Sequence, residues 1–372
     1  MKALMLCASA LSLVGLDGGP CEKGLVVHEW GTFTSVSGSD GEPMVWNPFS
    51  GPTDLPSFVY TPDHRRRELS ASKLEYTTTI RMETPVLYFY AGQETDVNVR
   101  VDFPKGAITE WYPKARSLKQ GSIDWGKVRV RPGAPDEFPR EEAPSHYYPA
   151  RETDAAPIQV RSPGLTQGEK FLFYRGVGWF APPIHITLAN DRITVSSRVA
   201  DPVPAILFEN RNGRTGFRTL GAIRGDVNVA RPDLTLPASE VMVELERMLK
   251  ASGLYEKEAR AMLKTWRDSW FEEGMRVFYL VPRSAADAIL PLTLDPKPQE
   301  LARVFVGRAE ILTPEMEQRM REIAKRAGDD DQAFWKEIQP FGRFAQPLLL
   351  RAFAPIGGNE RSPLVRRLLQ RY

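Results

Sequence analysis

Cysteine is nearly absent from this sequence: Cys7 and Cys21 are the two among 372 residues. So few exclude a fold stapled by disulfides. A chain of this length needs none, since it can bury most of its surface in a core. An excess of either charge is missing too, with 49 basic residues against 47 acidic ones and a formal net charge of +2. That balance argues against nucleic acid as the main partner, because phosphate backbones are gripped by a basic excess or stripe. The one basic run, Arg65-Arg66-Arg67 beside His64, reads as a solvated turn. After the first residues, no segment reaches the roughly eighteen apolar residues of a membrane span.

Complete catalytic signatures are also missing. There is no G-x-S-x-G, no H-E-x-x-H, no P-loop and no dinucleotide glycine fingerprint. His28-Glu29 is followed by Trp30-Gly31, so the second zinc histidine is lacking. Gly176-Val177-Gly178 is too little for a nucleotide loop, and the Ser37–Glu42 turn lacks the spacing of a calcium loop.

What is present begins with an apolar leader. Lys2 precedes an apolar and small-residue run from Ala3 to Leu16, and Asp17-Gly18-Gly19-Pro20 breaks it. This pattern predicts a signal peptide over 1–20 and an exported protein, periplasmic or extracellular. Cys21 would then be the mature chain's one cysteine, incidental or an intermolecular tether.

The next two-thirds reads as short strands between turn signals. Strands are predicted at Gly24–Val36, Tyr76–Tyr90 (with Pro85 as a break), Ile123–Arg131, Lys170–Tyr174 and Ala205–Glu209. In Asp96–Phe103 the residues Val97, Val99, Val101 and Phe103 alternate with polar ones, as in a half-buried strand. Ile184–Ala189 and Arg192–Val199 flank Asn190-Asp191, which reads as a tight hairpin. A proline-rich stretch, 132–168, interrupts the pattern, and its Ser145-His146-Tyr147-Tyr148 knot predicts a packed loop. From Pro237 the period becomes helical. Val241, Leu245, Met248 and Leu249 form one stripe, with Ser239 as expected cap, and Tyr255 to Trp270 forms a second. Strands are expected at Val277–Val281 and Leu301–Leu312, then a helix capped by Thr313 with Pro314 first, and another behind Asp329–Asp331. The fold class is therefore α+β: an antiparallel β-rich, sandwich-like domain over 21–236, then a mixed helical portion over 237–372 with a helix pair at 239–273.

Three constellations can carry chemistry. His28, His146 and His185 lie in two strands and the loop, and imidazoles from separate elements can share one divalent ion, zinc or copper, with Glu29 as base on its water. Acid beside indole recurs at Glu29-Trp30, Glu110-Trp111 and Asp124-Trp125. Paired carboxylates with flat aromatic platforms suit glycosidic hydrolysis, which needs carboxyls about 5 to 9.5 Å apart. Arg175, between an apolar run and a glycine turn, can clamp an anion or form a buried ion pair. Trp30, Trp111, Tyr147 and Arg175 are accordingly the expected substrate contacts. Two functions follow. One is an exported hydrolase, metal-dependent or not, acting on a small molecule, polysaccharide or peptide. The other is a non-catalytic envelope or carbohydrate-binding protein with an aromatic face. A concave site with converging polar groups favours the first, and an exposed aromatic surface the second.

Overall fold

The structure, a computed structural model, describes residues 24–47, 55–62, 78–119, 121–328 and 330–353. The expected signal peptide, Cys21 and the His64–Arg67 run lie outside the described residues.

The fold is α+β with a β-rich N-terminal part, as expected. Its centre is β1 (Val26–Gly38), whose neighbours are β2 (Ile80–Tyr90) and β17 (Glu300–Leu312). The β1–β17 pairing is parallel, from Val26 opposite Glu300 to Gly38 opposite Leu312. Around this pair an eight-stranded sheet runs outward. On the β17 side come β15 (Gly274–Val281), β12 (Val203–Arg211) and β13 (Arg214–Ile223); on the β2 side come β9 (Leu172–Gly178) and β4 (Gly106–Tyr112). Strands from both sides of the expected boundary at 236 thus share one sheet, so that boundary separates no sheets.

A second sheet orders β16 (Leu292–Asp295), β3 (Thr95–Asp102), β6 (Ser122–Val130), β7 (Ile158–Ser162) and β8 (Leu165–Glu169), with β5 (Ser117–Lys119) on β6. A third holds β10 (Ile184–Ala189), β11 (Arg192–Ser197) and β14 (Asp226–Ala230). One core joins them: Val27, Phe33, Leu87 and Phe89 of the large sheet meet Val97, Val99 and Val128 of the second and Ile186 and Val195 of the third. The alternation in β3 produces this, since Val97, Val99 and Val101 are buried while Asn98 and Arg100 face water. The Asn190-Asp191 turn has φ of 49° and 59°, the left-handed pair that a two-residue hairpin needs.

The other face of the large sheet is covered by helices. α1 (Ala238–Ala251) and α2 (Glu256–Trp270) bury Leu245, Leu249, Met262 and Trp266 against Val86, Phe173 and Phe278. Ser239 is not the cap of α1; Pro237 occupies that position in an extended conformation, and Ser239 lies inside the first turn. After the short α3 (Arg283–Ile289) come α4 (Pro314–Ala327), α5 (Asp331–Ile338) and α6 (Ala345–Phe353). These pack Met320, Ile323, Phe334 and Leu348 on Val36 and Leu312. Thr313 caps α4, accepting from the Met316 N–H at 3.3 Å, and Asp330 caps α5. Among the described residues, no helix is long and apolar enough to cross a membrane.

The proline-rich stretch is shorter than expected, because Ile158–Ser162 and Leu165–Glu169 form a hairpin turning at Pro163-Gly164. The rest is a packed loop. Arg151 bonds Glu169 and the Pro139 carbonyl while lying over the Phe138 and Tyr148 rings.

In β17, Gly307 sits directly opposite Tyr279, whose ring occupies the space a Cβ would need. Gly307→Ala is expected to push that buried ring off its rotamer and cost about 1–3 kcal/mol. Urea unfolding should show a lower midpoint at unchanged slope; an unchanged midpoint would mean that the ring yields freely.

Candidate functional site

Between the two helical covers, the large sheet carries a belt of buried charge. In β2 the residues Glu83-Thr84-Pro85 form a bulge, and the register with both neighbouring strands skips a residue there. Gly31 lies opposite; a Cβ on it would stand 3.0 Å from Pro85 and 2.9 Å from the Phe305 ring. Thr84 is buried at φ 47°, a left-handed conformation that a β-branched residue adopts only under strain. Its hydroxyl faces Arg175, with Nε at 3.3 Å and Nη2 at 3.2 Å.

Glu83 is the hub of this belt. Thr34 donates to it at 2.8 Å, Arg81 approaches at 3.1 Å, and Arg343 from the turn before α6 forms a third contact. Burial pushes the Glu83 carboxyl up, but Arg343, Arg81 and Arg175 outweigh it and hold it at about 2. Across β1 the belt continues through Arg308, Glu310 and Arg276, with Arg276 Nε 2.9 Å from Glu310 and Arg308 bridging to Glu272 at 2.8 Å. In the other direction Glu110 of β4 stands opposite Arg175 of β9. Arg175 lies over the Trp266 ring at 6.0 Å, and His146 meets the same indole at 5.6 Å. Two of the expected site residues, Arg175 and His146, therefore meet at Trp266, and Glu110 is paired with Arg175 in the strand register.

The others lie elsewhere. Glu29 points from β1 into the core between the sheets, where it accepts from Arg303 at 2.5 Å and from Tyr174 at 2.6 Å. Burial, then the charge of Glu29, push the Tyr174 hydroxyl well above its ordinary range, so it remains a donor. Asp124 is on the outer face of the second sheet, bonded to Arg116 and to the Gly126 N–H. Glu29, Glu110 and Asp124 thus occupy three different faces and make no glycosidase pair. The reason is the strand period: alternate residues face opposite ways, and the two sheets turn their polar sides apart.

The three histidines do not converge either. His28 Nδ1 is 2.8 Å from Glu258 of α2, whose other oxygen accepts from Tyr90 at 2.8 Å. His146 pairs with Asp268 at 2.9 Å, and His185 packs against Gly41 in a separate sheet. Among the described residues, no three His, Cys, Asp or Glu form a group able to hold a metal ion. The expected platforms are core: Trp30 and Tyr147 are fully buried, Tyr147 donating to Glu169 at 2.9 Å, and Trp111 stacks on Tyr60.

One indole does face water. Trp179 follows β9 and is 49% exposed. Gly178 explains why: a Cβ there would stand 2.7 Å from Phe103 and 2.9 Å from Phe180, so its absence lets Phe180 fold inward while Trp179 projects. Trp179, His185, Arg198, Ser37 and Thr79 line a cleft of about 330 Å³. A second cleft of about 350 Å³, running to Lys105 and α3, shares Phe180, Ala181, Pro182 and Arg198 with it. The two clefts are therefore adjoining parts of one groove. In the sequence the apolar run and glycine turn around Arg175 draw attention to that arginine, while the signal for Trp179 is an aromatic followed by Pro182-Pro183, which cannot continue a strand ladder.

No family model matches the chain. Over 106 residues it is 26% identical to glutamyl-tRNA reductase of Aquifex aeolicus (strain VF5), which covers 27% of this chain and 26% of that protein. The chain matches about a quarter of the length of that curated relative.

Because the Glu83 carboxyl is depressed from 4.5 to about 2, its contribution to stability is full above its unfolded value and is lost as pH falls through about 2. Glu83→Gln is expected to cost about 3–5 kcal/mol at pH 7, the penalty for breaking a buried pair. In urea titrations at pH 7, 4 and 3, the difference from wild type should narrow only at the acid end. A difference independent of pH would assign the loss to packing.

Proposed function

We propose that this chain is an exported, non-catalytic binding protein that holds a sugar chain in the groove beside Trp179. The observation that carries this reading is the half-exposed Trp179 indole over adjoining clefts of about 330 and 350 Å³: the groove is concave, but among the described residues no carboxylate lines it, so it lacks the acid pair that glycosidic hydrolysis needs. Each cleft is within the size range of ligand sites, and together they suit an extended occupant. A flat indole offers an apolar surface to the C–H face of a pyranose. His185 and Arg198, with the hydroxyls of Ser37 and Thr79, supply donors and acceptors for sugar hydroxyls. The carboxylates expected to do hydrolysis support the reading from the other side, since Glu29 and Asp124 are each engaged by an arginine.

Trp179→Ala is expected to weaken oligosaccharide binding about tenfold, equivalent to about 1.4 kcal/mol, with unfolding unchanged. Intrinsic fluorescence titration with cello-, chito- and xylo-oligosaccharides reads this directly. No binding across the panel, or equal binding by the variant, overturns the proposal.

A hydrolase is the second reading, favoured by one observation: Thr84 is strained at φ 47° beside Arg175 in a buried charged centre. Strain of that kind concentrates at reactive sites. Thr84→Gly relieves strain of about 1–3 kcal/mol but also removes the hydroxyl that accepts from Arg175, a loss of about 1–3 kcal/mol, so the fold should change little in stability. If this reading holds, oligosaccharide turnover by the wild-type protein disappears in Thr84→Gly and survives in Trp179→Ala. Absence of any turnover by wild type rejects it.

A further inference from the structure

The outward face of the second sheet carries a cleft of about 530 Å³, on different residues from the groove. Five cations line it: Lys114, Arg116, Lys127, Arg129 and Arg161. Their convergence has a local cause. The β3–β6 register shifts between Val99 and Arg100, so β6 holds one residue more than its partner around Gly126. Asp124 and Lys127 both face outward across this bulge while Trp125 and Val128 stay buried. Gly126 is at φ 64°, and a Cβ on it would stand 3.1 Å from the Arg116 side chain, which lies across the bulge. Lys114 and Arg116 arrive on the connection after β4, and Arg161 projects from β7.

Two carboxylates partly offset these charges. Asp96 is shared by Arg129 at 2.8 Å and Lys127 at 3.2 Å, and Asp124 holds Arg116 at 2.5 Å. Arg129's hydrogen bond, and then Lys127's, hold the Asp96 carboxyl at about 2, so it is an anion at any neutral pH. Lys114 and Arg161 have no carboxylate partner among the described residues; Arg161 donates only to Gln159, at 3.2 Å. Both are exposed on the cleft wall. A concave surface focuses such an excess, and guanidinium forks match oxyanions in pairs.

We infer that this cleft binds a compact ligand carrying at least two oxyanion charges, with Lys114 and Arg161 as its principal contacts. The chemistry shared by carboxylates and phosphates is what the cleft recognises, and Arg116 and Arg129, already oriented by Asp124 and Asp96, complete the ring of donors. This site is independent of the Trp179 groove.

Calorimetric titration of the full chain with citrate and with pyrophosphate, at low and at raised ionic strength, tests it. At least one probe should bind, more weakly as salt rises. The Lys114→Ala/Arg161→Ala variant should lose about tenfold or more, with an unchanged unfolding curve because neither exposed side chain holds an ion pair among the described residues. Arg161→Glu alone should lose more than Arg161→Ala, and Trp179→Ala should lose nothing. Citrate alone binding assigns carboxylate ligands, and pyrophosphate alone assigns phosphate. Failure of both probes to bind, or binding kept by the double variant, overturns the inference.

Discussion

The architecture depends on the parallel pairing of β1 with β17, thirteen residues long and set in the middle of the large sheet. Partners as far apart in sequence as Val26 and Glu300 can be brought together only at a cost in loop-closure entropy. The pairing explains why the structure is not two successive domains. Every strand of the large sheet lies outward from this pair, and both helical covers rest on residues that β1 and β17 share. Val304 and Val306 lie under α1 and α2, and Leu312 lies under α4 to α6. A topology so rich in long-range contacts is expected to fold slowly.

The charged belt follows from the same geometry. Two apolar covers dock on one sheet face, and the strip between them is closed from water without being filled by apolar side chains. Arg308 and Arg276 around Glu310, and Arg81 and Arg343 around Glu83, occupy that strip. Such groups gain little net stability over well-packed apolar ones, but a wrong register would strand a charge without its counter-ion. The belt therefore penalises pairings that leave a charge unmatched, and Arg343 ties the C-terminal α5–α6 turn to β2.

Much of this was legible in the sequence and some was not, for physical reasons. β3, the β10–β11 hairpin and the Thr313-Pro314 helix start were readable because alternation, turn residues and caps act over a few residues. β4, β7, β8, β13 and β14 were missed. In β13 and β14 most residues are exposed or half-exposed, so no apolar alternation marks them, and β7–β8 was masked by surrounding prolines. Arg175 was legible as a buried ionic residue, and Glu110 as an acid beside indole, but their pairing across β4 and β9 depends on register. His28, His146 and His185 looked like a possible set only because sequence spacing says nothing about which face each occupies.

Burial separates the residues that hold this molecule together from those available to anything outside it. Tyr147, Glu29 and His28 drew attention for their chemistry, yet each is enclosed and bonded to a specific neighbour: Glu29 to Arg303, His28 to Glu258, Tyr147 to Glu169. A group in that position cannot meet a ligand without first losing its partner, and that loss costs more than a typical ligand contact returns. Trp179, Lys114 and Arg161 are the opposite case. They lie at cleft walls and, among the described residues, are not held in ion pairs, so contact with a ligand breaks no buried pair. Recognition is therefore to be sought where strand geometry sends a reactive side chain outward, at the turn after β9 and at the bulge in β6, rather than among the most chemically suggestive residues in the core.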